Sequence, residues 1–155
     1  MSSHHLAPRP DELAAVAVGG VAGALARAGI SVALPHTDPA SWPSATFLTN
    51  LLGCLILGLL LAFVDARHAR WTDTAPRRAR FARPFLATGV LGGFTTFSTF
   101  SVEVVQMIRA GSAGPATAYL CSSVILGIAC FAIGRTRGAR WFGASAIDMQ
   151  ADEEL

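Results

Sequence analysis

The chain has 155 residues, of which 52% are hydrophobic and only 14% charged, against about 25% charged residues in an ordinary soluble domain. Its apolar content fills four membrane spans of about 20 residues each and leaves short connections. That excludes a soluble enzyme domain, a disordered chain and a nucleic-acid-binding module. The formal net charge of +2 is uninformative as a sum, but its placement is not.

Residues 1–12 are polar and proline-containing and read as a disordered lead. The first apolar stretch follows Pro10-Asp11-Glu12, is too long for a signal core and lacks a preceding basic cluster, so no cleavable signal peptide is expected. The first span, 13–34, is rich in Ala, Val and Gly and holds one charge, Arg27. A turn-rich connection with proline stops and an interfacial Trp42 leads to the second span, 45–64. An arginine-rich loop with Trp71 as an anchor precedes the third span, 85–108, which is long and unusually polar. A short turn then gives the fourth span, 116–133, and residues 135–155 form a soluble tail. The expected fold is an all-α integral membrane bundle, four transmembrane helices per subunit, with one channel-sized unit over 13–134.

Of 22 charged residues only Arg27 and Glu103 fall inside these spans, as expected where a charge at the bilayer centre costs at least about 2.5–3.5 kcal/mol. An even number of spans places both termini and the second loop on one side. That side carries Arg9, Arg67, Arg70, Arg77, Arg78, Arg80, Arg83, Arg135, Arg137 and Arg140, and the other only Arg109. Ten against one predicts cytoplasmic termini in a cell (plasma) membrane. Cys54, Cys121 and Cys130 lie in apolar runs and read as small buried residues, and the four histidines lie outside the spans, so neither set suggests a metal site.

Polar side chains within hydrocarbon either pair between helices or line a pathway. Gly19 and Gly23 have the GxxxG spacing of close helix packing, and Arg27 either snorkels, pairs with an acid or lends positive potential to an anion route. Thr46 and Asn50, four apart in the second span, are answered by Tyr119 and Ser123 in the fourth. The third span carries the densest signal, from Thr88 to Ser101: six of 14 residues bear hydroxyls and three are glycine. Glycine disfavours a continuous helix by about 1 kcal/mol against alanine, so a break is expected at Gly92-Gly93. Such a break frees carbonyls that suit a hard cation such as sodium. Phe94, Phe97 and Phe100 recur every three residues, and their electropositive ring edges can face an anion while staying dry. Glu103, the only acid within a span, is expected to be hydrogen-bonded or paired.

These residues resemble the Fluc/CrcB fluoride channels. The resemblance rests on GGFTTFSTFSVE in the third span, Asn50-Leu51-Leu52-Gly53 in the second and GGVAGALAR in the first. It implies a channel that exports fluoride passively, built as an antiparallel dimer of four-helix subunits with two pores and a structural sodium ion at the interface. Phe97 and Phe100 would be the pore phenylalanines and Asn50 a fluoride-coordinating amide. Thr46, Ser98, Tyr119 and Ser123 would extend the polar track, and the carbonyls of Gly92 and Thr95 would hold the sodium. Gly127 stands where some members place a further serine.

Fluoride is small and strongly hydrated, so a pore must replace its water with close amide and hydroxyl donors. The ten-to-one arginine bias does not suit insertion in both orientations. Two assemblies therefore stay open, a homodimer and a heterodimer with a second four-span subunit of opposite topology. A small proton-coupled multidrug exporter is the rival function, but its first-span glutamate has no counterpart here. A non-conducting subunit is a third possibility. No GxSxG, HExxH or intramembrane histidine supports catalysis.

Overall fold

The computed structural model describes residues 9–68, 81 and 84–153, with only the backbone from 143 onward. The lead up to residue 8, Trp71 and the loop arginines Arg70, Arg77, Arg78, Arg80 and Arg83 lie outside the described residues. Four helical stretches are long and apolar enough to cross a membrane, and no strand occurs among the described residues.

Helix α1 spans Pro10–Ala33 and opens with proline in its first turn beside Asp11 and Glu12. Proline there forfeits only an N–H that would be unpaired anyway, and the acids oppose the helix dipole. Helix α2 spans Ser44–His68. The third span starts as α3, a π-helical segment over Pro84–Leu91, and continues into the single turn α4, Gly92–Phe94. It resumes as α5 over Phe97–Arg109. Helix α6 runs without interruption over Ala113–Glu153.

Two tight pairs organise these elements. In the first, α1 lies against α3 and α4, and glycine makes the approach possible. A Cβ on Gly19 would meet the backbone of Phe85, Gly89 and Val90, and one on Gly23 would meet Val90 and Phe94. Gly89 and Gly93 return the contact against Val16, Gly19, Gly20 and Ala24. The GxxxG of the first span thus meets a second small-residue pair of the same spacing, the arrangement that lets backbones touch where lipid offers no hydrophobic drive.

In the second pair, α2 and α6 run parallel. Gly58 abuts Phe131 and Arg135, Gly134 abuts Leu55 and Leu59, and Gly138 abuts Leu59 and Ala62. Helix α5 leaves α1 and turns to α6, ending in a Schellman turn. Gly111, at φ 81°, takes the left-handed position, with Gly111 N–H donating to Ile108 and Ser112 N–H to Met107. Met107, Ala116 and Tyr119 form the buried centre beneath that turn, with Phe47, Phe100 and Val104 around it.

Two expectations need correction. The third helix is interrupted at Thr95-Thr96, not at Gly92-Gly93: both threonines are extended, with φ −85° and ψ 159° at Thr95 and φ −148° and ψ 124° at Thr96. The two glycines stay helical, Gly93 because it packs on α1. The soluble tail expected after residue 134 is helical and continues α6 to Glu153. The second correction concerns the cysteines: Cys121 is exposed and Cys54 and Cys130 are half-buried, not buried as their apolar runs suggested. The outward face of the bundle is apolar, with Val21, Leu25, Ile125 and Ile128 all more than 60% exposed, as a lipid-facing surface should be.

Candidate functional site

The break in the third span is held from outside by Asn50. Its Nδ2 donates to the Thr96 carbonyl at 3.0 Å, and its Oδ1 accepts from Thr96 N–H at 2.9 Å. One side chain on α2 thus pairs the Thr96 N–H that the break frees and adds a bond to the Thr96 carbonyl, the N-cap carbonyl of α5, and a mid-membrane break requires that its freed groups be paired in this way. Nδ2 carries two hydrogens and Thr96 takes one.

The clamp has consequences on both sides. Thr96 N–H, the helical donor to Gly92, is spent on Asn50. Thr99 N–H, the helical donor to Thr95, is spent on the Thr96 hydroxyl at 3.1 Å, which caps α5. The carbonyls of Gly92 and Thr95 therefore lose their helical partners, and both residues line a groove of about 360 Å³ with Asn50, Gly53, Thr96 and Phe97. Thr95 is fixed below by bonds from its N–H and Oγ1 to the Leu91 carbonyl, and its methyl faces Gly53.

Beyond the break the chain carries a run of hydroxyls. Thr96 Oγ1 donates to Thr99 Oγ1 at 3.0 Å and lies 3.3 Å from Ser98 Oγ. Phe97 is 81% exposed, with its ring centroid 6.1 Å from that of Phe100, and Phe100 in turn rests 5.1 Å from Tyr119. Phe94 does not share their side. It is buried before the break, because the two extended residues reset the helical phase that the three-residue spacing assumed.

One turn further, Glu103 is buried and bonded as expected. Thr46 Oγ1 donates to its Oε1 at 2.7 Å, and the Tyr119 hydroxyl donates to its Oε2 at 2.9 Å. Thr46 and Tyr119, read as facing stripes on two helices, are thus joined through an acid from a third. Tyr119 is enclosed by Trp42 and Phe47. Ser123, one turn along α6, has a buried Oγ without a hydrogen-bond partner. Arg27 stands one turn past Gly23 on α1, its Nε likewise buried and unpartnered.

Sequence reasoning missed the Asn50–Thr96 clamp as such. Its signal was present in an asparagine one helix away from a Thr-Thr pair, since only a side chain with both donor and acceptor can pair the N–H and the carbonyl of one residue. No cluster of three His, Cys, Asp or Glu side chains suited to a metal occurs among the described residues.

The family model of the CrcB-like protein, Camphor Resistance (CrcB), matches residues 14–135, a stretch that includes all four spans up to Arg135. A fluoride-specific ion channel FluC of Chloroflexus aurantiacus is 41% identical over 133 residues, covering 86% of this chain and 98% of its own length. The FluC of Hyphomonas neptunium is 41% identical over 127 residues, 82% and 94% of the two chains. FluC 1 of Mycobacterium tuberculosis is 44% identical over 117 residues, 76% and 82%. With most of its four spans, the Gly19–Gly23 and Gly89–Gly93 contacts and the clamped break inside the matched region, the chain is a multi-pass membrane protein that belongs to the CrcB family.

Proposed function

We propose that the protein is a fluoride-specific channel that lets cytoplasmic fluoride leave passively. The observation that carries this reading is the break at Thr95-Thr96 held by Asn50. It brings amide and hydroxyl donors beside the exposed Phe97 ring, in a chain whose relatives bear the name fluoride-specific ion channel along nearly their whole length. A strongly hydrated anion needs close donors to leave water. The second amide hydrogen of Asn50 and the unpartnered Ser123 hydroxyl are available for that role, and the Ser98 hydroxyl joins them by turning away from Thr96 Oγ1. Thr46 and Tyr119 already donate to Glu103 and act by fixing it. Phe97 and Phe100 supply ring edges.

One subunit is too thin to enclose a pore, and the groove beside the break opens on its surface. The functional unit is therefore an antiparallel dimer. The carbonyls of Gly92 and Thr95, deprived of helical donors, would suit a sodium ion, which would supply a hard cation at the subunit interface. The arginine bias favours cytoplasmic termini and a partner subunit of opposite topology over self-pairing.

Fluoride efflux from liposomes is the direct test, with the protein alone and with a co-expressed four-span partner. Efflux that stops on Phe97→Ile or Phe100→Ile is the expected result. Proton-driven uptake of a cationic dye with no fluoride flux would replace the channel reading by an exporter. An active dimer purified from the chain expressed alone, labelled from both sides, would remove the need for a second subunit.

A further inference from the structure

The bonded pair Asp65–Arg135 joins α2 to α6 where the apolar run of α2 ends, and so marks the edge of the hydrocarbon on that side. Helix α6 continues past it. At about 1.5 Å per residue, Arg137 lies about 3 Å beyond that edge, Arg140 about 7.5 Å and Trp141 about 9 Å. A headgroup layer is roughly 5–7 Å deep on each face of a bilayer, so the two arginines stand at the depth of lipid phosphates.

Their surroundings leave them free to bind. Gly134 and Gly138 turn one face of α6 to α2, and Arg137 and Arg140, outside that contact, are exposed. Ile133, one turn below Arg137, is 50% exposed and continues the apolar surface toward the tails, and Trp141 is 74% exposed. Arg135 is already neutralised by Asp65. Among the described residues no acid is paired with the other two.

We propose that Arg137 and Arg140, with Trp141 above and Ile133 below, form a binding site for the phosphate headgroup of an anionic membrane lipid. Arginine suits this role through its fork of donors, which matches a phosphate in two-point geometry. The site rests on the membrane spans alone and is independent of fluoride conduction.

Native mass spectrometry of the full-length protein in detergent, titrated with phosphatidylglycerol or phosphatidylcholine, tests it. The wild type should retain phosphatidylglycerol preferentially. Each arginine near an anionic headgroup is worth about fivefold in affinity, so R137Q and R140Q should each weaken retention about fivefold and the double variant about 25-fold. R137K/R140K keeps both charges but not the fork and should keep part of the preference, and R109Q, on the other side of the membrane, should keep all of it. Equal retention of the two lipids by the wild type, unchanged retention by the double glutamine variant, or a loss that the lysine variant shares in full would each overturn the site. Fluoride efflux from phosphatidylcholine liposomes, measured on the same preparations, reports separately on the channel.

Discussion

Glu103 is the acid that the bundle buries among hydroxyls, and both of its carboxylate oxygens are in use. Glu103→Leu would strand the Thr46 hydroxyl and that of Tyr119, which is fully buried. A buried unsatisfied group costs about 1–3 kcal/mol, so this variant should lose roughly 2–5 kcal/mol. Glu103→Gln keeps an acceptor and should lose about 1 kcal/mol. Thermal unfolding in a mild detergent checks the order, and equal losses would mean that the hydroxyls are satisfied some other way. Asn50 offers a second test. Asn50→Asp keeps the acceptor for Thr96 N–H but sets a carboxylate oxygen against the Thr96 carbonyl. It should cost roughly 2 kcal/mol and lower fluoride efflux, whereas a variant with unchanged melting and flux would show that the clamp does not hold the break. At this scale the sequence made the polar residues visible and left their pairing hidden. Thr46, Asn50, Glu103 and Tyr119 stand out because each is costly in hydrocarbon, but spacing on one helix cannot say which residue of another helix answers it.

Glycine sets how closely the elements approach, and the positions are not equivalent. Gly23 and Gly58 are each pressed against the backbone of the neighbouring helix, while nothing approaches the Cβ position of Gly29. Gly23→Val and Gly58→Val should therefore force α1 from the third span and α2 from α6, at a cost of about 1–3 kcal/mol or more, while Gly29→Ala should cost nothing and gain up to about 1 kcal/mol. Yields of monodisperse protein and melting temperatures of the three variants give the comparison, and a loss at Gly29 equal to that at Gly23 would contradict it. The first of these contacts was legible, because GxxxG is a local pattern with a local meaning. Its partner, Gly89 and Gly93, was harder to recognise, since a glycine-rich stretch within a polar run looks like a helix breaker. The break was misplaced for that reason: helix propensity measured in water ranks glycine as the weak point, but here glycine is stabilised by α1 and the chain yields at the two threonines that Asn50 can hold. The length of α6 escaped hydropathy in a different way. Hydropathy marks where a helix leaves hydrocarbon and not where its hydrogen bonding stops.

For the molecule as a whole, charge decides orientation, and orientation decides what it can assemble with. On the proposed reading, a subunit held to one orientation by its arginines would present its groove and exposed Phe97 to an antiparallel neighbour that its own copies could not supply. The arginines on the expected cytoplasmic side can be tested as the cause. A fluorescent protein fused after residue 155 should be bright in the cell and a phosphatase fused there inactive. Replacing the six arginines from Arg67 to Arg83 by glutamine, with Thr37→Arg and Pro39→Arg added to the first loop, brings the bias from ten against one to four against three. The positive-inside rule counts short loops of this kind, so the altered chain should show both fusions partly active. It should also gain fluoride efflux when expressed alone, because the antiparallel dimer then becomes available from a single gene product. Mixed orientation without a gain in efflux would mean that the chain lacks a self-complementary interface whatever its topology. Efflux from the unaltered chain expressed alone would mean that the bias never prevented pairing.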